Sequence, residues 1–205
     1  MTDIYGMKNI SLIALLTVYY FIMASVTFSQ SVSPDAFLGY NLGEKFTRHH
    51  RVVDFLEHVS QENPHFQLRQ YGTTTENRPL LGLIMSSENN MKIFDDILSE
   101  NFRRVNNGID SGARIPIIYL SYNVHGNEAV CTEAAMRTIG SLTNQRKNLL
   151  ENCIVIIDPC VNPDGRDRYV HFQDRTSGPT PNSSPAAWEH SEPWPGGRSN
   201  HYMFD

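Results

Sequence analysis

The sequence predicts an α/β domain built on a mixed, mainly parallel sheet with helices on both faces. Two short, nearly all-apolar runs, "IPIIYLSY" at 115–122 and "CIVIIDPC" at 153–160, read as strands buried on both sides. Between them, "EAVCTEAAMRTIGSLT" at 128–143 carries a helical apolar period. Strand, helix, strand in this order is a right-handed parallel crossover unit.

The elements follow in chain order. Lys8 precedes an apolar run, Ile10 to Met23, and a small-residue zone, "ASVTFSQS". Residues 1–29 therefore read as a signal peptide of an exported protein, cut near Ser29–Gln30. An uncleaved membrane anchor is the alternative, since the run approaches bilayer-spanning length. Residues 30–45 form a lead-in, and 46–205 the folded domain. Thr47 to Ser60 predicts a helix with Val52, Phe55, Leu56 and Val59 on one face, ended by Pro64. "FQLRQYG" and "PLLGLIMSS" predict two strands joined through the turn "TTTENR", a hairpin at one sheet edge. "NNMKIFDDILSENF" predicts one helix that begins at Asn89–Asn90. Asn162 to Gly165 read as a turn. Beyond it, "TSGPTPNSSPAAWEHSEPWPGG" is too rich in Pro, Ser and Gly for a helix, and long for a loop without function.

Composition narrows the class. The 205 residues suffice for one ordinary domain, and 40% hydrophobic with 19% charged residues predicts a packed core. A net charge of -5 without basic runs argues against nucleic acid or an anionic membrane surface as partner. The 3 cysteines, Cys131, Cys153 and Cys160, give neither a disulfide framework nor a C-x-x-C metal pair.

Open α/β sheets place ligands beyond the C-terminal ends of their strands. Two such ends are readable, "SYNVHGNE" and "DPCVNPDGRDR", and both should open on the same edge. His125 and Glu128 stand three apart at a strand-to-helix bend that Gly126 makes sharp. An imidazole and a carboxylate suit zinc. Glu128 as a helix cap beside a turn histidine is the other reading, and spacing alone leaves both open.

"LSYNVHGNEAV" followed by "IIDPCVNPDGRDRY" resembles the zinc carboxypeptidase family, the carboxypeptidase A-like metallopeptidases, with H-x-x-E after a central strand and then N-P-D-G. "YGTTTENRPLLGLIMSS" resembles the family's early G-x-S-x-E-G-R-P-L hairpin, and "PGGRSNHYMFD" the stretch before its Asn-Arg pair. The likeness covers 46–205, lies nearest to large exported bacterial members, and implies an N-terminal part of a longer catalytic domain with an incomplete carboxypeptidase-like fold.

The resemblance implies zinc as cofactor, held by His125 and Glu128, with a third histidine ligand and the catalytic glutamate beyond residue 205. His171, His190 and His201, and also Cys131, are weaker candidates for the third ligand within the chain. Arg198, with Arg175 second, is the candidate for supporting the oxyanion of a peptide or protein substrate. Asp158 is either a plain strand-end aspartate or a partner for the free N–H of His125. Asn127 stands where the digestive members carry a substrate-binding arginine, which puts their usual substrate contacts in doubt. The implied activity is hydrolysis of peptide bonds near a free C-terminus, absent from this stretch by itself. A cell-wall peptidase, an amide or ester deacylase, or a non-catalytic peptide-binding relative stays open.

Overall fold

The structure is a computed structural model that describes residues 33–108, 115–180 and 182–193. The expected signal peptide, Arg198 and His201 lie outside the described residues.

The elements run α1 (Pro34–Leu38), α2 (His49–Glu62), β1 (Gln67–Thr73), β2 (Pro79–Met85), α3 (Glu88–Lys92), α4 (Phe94–Asn107), β3 (Ile117–Ser121), α5 (Val130–Thr143), β4 (Ile154–Asp158) and α6 (Pro163–Thr176). Short 3₁₀ turns lie at Lys147–Glu151 and Trp188–His190. The strands form one mixed sheet in the order β1-β2-β4-β3. Both β1–β2 and β2–β4 are antiparallel, and β3–β4 is parallel. The parallel share of the described strands is thus one pairing, the crossover that the two apolar runs and the intervening helix predict. The hairpin lies at one edge, as expected.

Side-chain alternation along the strands builds two cores. On one face Leu81, Leu83, Met85, Val155 and Ile157 meet Val52, Phe55, Leu56 and Val59 of α2, and Ala135, Met136 and Ile139 of α5. On the other face Ile84 and Ile154 meet Phe94 and Ile97 of α4. Each fully buried aliphatic side chain contributes about 1.5–3 kcal/mol. Gly140 on α5 admits Pro34 of α1: a Cβ there would lie 2.5 Å from Pro34 Cδ.

Three local expectations are corrected. The first helix starts at His49 rather than Thr47, because Thr47 gives its N–H and hydroxyl to the Glu133 carboxylate instead of a helix turn (2.7 and 2.8 Å). The single helix expected from Asn89 is two. Ser87 caps α3, and the buried Asn90 carboxamide ties it to the carbonyls of Leu150 and Glu151. Ile93, at φ -116 and ψ 24, breaks the run before α4.

The third correction matters most. Asn162 to Gly165 do not form an isolated turn. Asn162 caps α6 by accepting from the Gly165 N–H at 3.0 Å, and Pro163 takes the first helical position, where its missing N–H costs nothing. The apolar period is faint because α6 buries Asp164, Arg166 and Asp167 along with Tyr169, Val170 and Phe172. A cap residue, a proline and an acidic residue in succession were the available signal.

Candidate metal centre

The parallel register sets Ser121 opposite Asp158, so the β3 and β4 ends do open on one edge. Beyond β3 the chain turns at once. Glu128 N–H donates to His125 C=O at 3.1 Å, which makes His125 and Glu128 the first and fourth residues of a β-turn. That is the physical content of the three-residue spacing: a turn brings positions i and i+3 side by side. His125 Nδ1 lies 3.1 Å from Glu128 Oε1, with the two side chains 26% and 52% exposed. Asn127, between them, is exposed.

The pair fits a metal ion. Two donors about 2.0–2.2 Å from one tetrahedral zinc lie roughly 3.4 Å apart. The observed 3.1 Å is close to this, with Glu128 exposed and His125 half-buried. Among the described residues, no three His, Cys, Asp or Glu side chains are grouped to hold a metal. His171, His190 and Cys131 therefore do not complete the set. His190 is engaged with the Asn182 carbonyl at 2.7 Å, and Arg175 donates to His171 C=O in its own helix at 3.2 Å.

Asp158 is 1% exposed. Its carboxylate accepts from the Tyr71 hydroxyl, from the Tyr119 hydroxyl at 3.4 Å, and from Cys160 N–H at 3.2 Å. Burial raises its pKa above the usual carboxylate range, although all three hydrogen bonds oppose the rise. Tyr71 is held far above its usual range by burial and by that carboxylate. Asp158 thus joins the hairpin to β3 and β4. The neighbouring Cys160 thiol is pushed up to about 12 by burial, so it is an inert core group. All three cysteines are free.

Residues whose contacts the sequence does not reveal brace the turn. Asn162 donates from Nδ2 to Val124 C=O at 3.2 Å, and its backbone N–H reaches Asn123 C=O at 3.3 Å. One side chain therefore caps α6 and holds the loop that carries His125. Glu133, one turn into α5, pairs with Arg166 of α6 at 2.9 Å, with side chains 5% and 0% exposed. Arg166 also donates to Thr47 C=O, and Tyr40 hydroxyl meets Thr47 Oγ1 at 2.8 Å.

The hairpin turn docks on the same helix. Arg78 reaches Asp164 at 2.7 Å and Asp167 at 2.9 Å, and Thr74 hydroxyl donates to Asp164 at 2.7 Å. Asn77 takes φ 62 where the resembled hairpin pattern has glycine, a conformation asparagine tolerates. The "TENRPL" and "NPDG" motifs are therefore one structural unit on the site's edge.

A mixed α/β scaffold with a His–Glu pair side by side at its strand ends is the class that fold and site define. The family comparison agrees: the zinc carboxypeptidase family matches residues 52–202. The chain belongs to the zinc carboxypeptidase family. No curated protein matches it. Among solved structures it is similar to thrombin activatable fibrinolysis inhibitor (19% identity, TM-score 0.47), covering 70% of this chain and 30% of that one. It is similar to carboxypeptidase A from Helicoverpa armigera (18% identity, TM-score 0.48), covering 75% and 32%. It is also similar to a metallo-carboxypeptidase from Burkholderia cenocepacia (20% identity, TM-score 0.40), covering 60% and 28%. The chain thus spans about a third of the length of these relatives. Among the described residues no helix is long and apolar enough to cross a membrane.

Proposed function

We propose that this chain supplies two of the metal ligands of an exported zinc metallocarboxypeptidase, which hydrolyses peptide bonds near a free C-terminus. The observation that carries the reading is the 3.1 Å approach of His125 Nδ1 to Glu128 Oε1 just beyond the end of β3, the strand that pairs in parallel with the buried β4. When bound, zinc supplies Lewis-acid polarisation of a carbonyl and a water acidic enough to ionise near neutral pH.

The chain's own residues do the rest. His125 and Glu128 would hold the ion between them. The β-turn between them fixes their spacing without help from a ligand. Arg198 offers a two-pronged guanidinium to a carboxylate or a developing oxyanion. Asn127, exposed beside the pair, offers hydrogen bonds but no charge. The third ligand and the glutamate that takes the water's proton are assigned beyond residue 205, so this stretch alone is expected to be inactive.

Asn127 favours one second reading, a cell-wall peptidase or an amide or ester deacylase on the same scaffold. An uncharged residue there relaxes the demand for a terminal carboxylate. The test is a panel of peptides with free and amidated C-termini, and acyl amides and esters, given to the full-length protein before and after chelation. Cleavage confined to free C-termini, lost on chelation and in H125A, supports the carboxypeptidase. Equal cleavage of amidated peptides moves the assignment to the second reading. No metal-dependent hydrolysis of any substrate leaves a peptide-binding relative.

A further inference from the structure

The β-turn that pairs His125 with Glu128 is itself held from one buried residue. Asn123 is 2% exposed and sits at φ 59, the left-handed region that asparagine enters at modest cost. Its Nδ2 donates to His125 C=O at 2.6 Å and lies 3.3 Å from Gly126 C=O. Its Oδ1 lies 2.8 Å from the Thr132 hydroxyl, which is also 2.8 Å from Pro159 C=O. This arrangement settles which way the amide faces: two carbonyls demand the NH₂ end, and the hydroxyl takes the oxygen. Asn123 therefore ties three segments together: the turn, the first helical turn of α5, and the bend after β4.

His125 C=O is the hinge of the arrangement. It accepts from Glu128 N–H, which closes the turn, and from Asn123 Nδ2, which holds the closed turn against the protein interior. With both carbonyl oxygens of the turn's first half directed inward, the imidazole and the carboxylate are left outward and side by side. We propose that Asn123 is the positioning residue of the metal pair, its buried carboxamide locking the turn that aims His125 and Glu128 at one point. This rests on the reading of that pair as zinc ligands.

The test is zinc titration of the full-length protein by calorimetry or chelator competition, in wild type, N123G, N123D and H125A. Glycine accepts the left-handed backbone without strain, so N123G removes the carboxamide and little else. N123D keeps the shape but loses both N–H donors. Both variants are expected to bind zinc about ten- to a hundredfold more weakly, the usual effect of removing a group that orients a ligand. Metal-free crystal structures give a second readout: the His125–Glu128 separation should open beyond 3.1 Å in N123G. Weak zinc binding by H125A together with wild-type affinity in both Asn123 variants overturns the proposal, as does an unchanged turn in N123G. Wild-type affinity in H125A instead overturns the metal reading, and the crystallographic arm still decides whether Asn123 sets the turn.

Discussion

Arg78, in the hairpin turn, grips Asp164, in the first turn of α6, at 2.7 Å, although 86 residues separate them. Asp164 has a side chain only 4% exposed, and Arg78 also holds Asp167. R78A leaves two buried carboxylates without their shared cation and should lower the unfolding free energy by about 2–4 kcal/mol. R78K should recover little, because an ammonium cannot present the planar fork that reaches both partners. Urea unfolding of the three proteins at neutral pH checks both expectations.

The Glu133–Arg166 pair answers to a double-mutant cycle. E133Q strands a guanidinium that is fully buried and should cost about 3–5 kcal/mol. Replacing both members, as E133L with R166M, should recover much of that loss. Additive losses in the double variant would show that the pair is not coupled.

Asn162 separates its two duties by substitution. N162A loses the α6 cap and should cost about 0.5–2 kcal/mol. N162D keeps the capping oxygen but loses the donor to Val124 C=O, so its stability should stay near wild type while zinc binding weakens. Equal stability of N162A and N162D would refute the capping role.

His49 gives a pH expectation. Burial, first, holds its pKa below the ordinary 6.5; Arg166 and Arg78 push the same way, while Asp167 and the Pro79 carbonyl oppose. Its Nε2 faces Pro79 C=O at 3.3 Å, and its buried Nδ1 has no hydrogen-bond partner among the described residues. The folded ring is therefore harder to protonate than the unfolded one. Its contribution to stability is full above the unfolded value and is lost as pH falls through the folded one. Urea midpoints should drop as pH falls below the unfolded value of about 6.5, and H49Q should flatten that drop. Identical slopes in the two proteins would count against it.

What the sequence alone determined is local in its physics. The apolar runs at 115–122 and 153–160, with a helical period between them, declared a parallel pair and hence the shared edge. The two strand-like runs at 66–72 and 79–87 and the turn residues of "TTTENR" between them declared the hairpin. His125 and Glu128 were legible because a turn of fixed length joins them. These are contacts between near neighbours, or repeats whose period shows in one dimension.

The tertiary structure alone decided how that edge is held. Helix α6 was hidden because its buried face is charged, and a charged face reads as solvent-exposed until its partners are known. Those partners, Arg78 for Asp164 and Glu133 for Arg166, lie 86 and 33 residues away. Asn123 went unread for the same reason, and Asn162 read only as part of a turn. A carboxamide has no period, and its role follows from which carbonyls the folded chain brings within hydrogen-bonding reach of it.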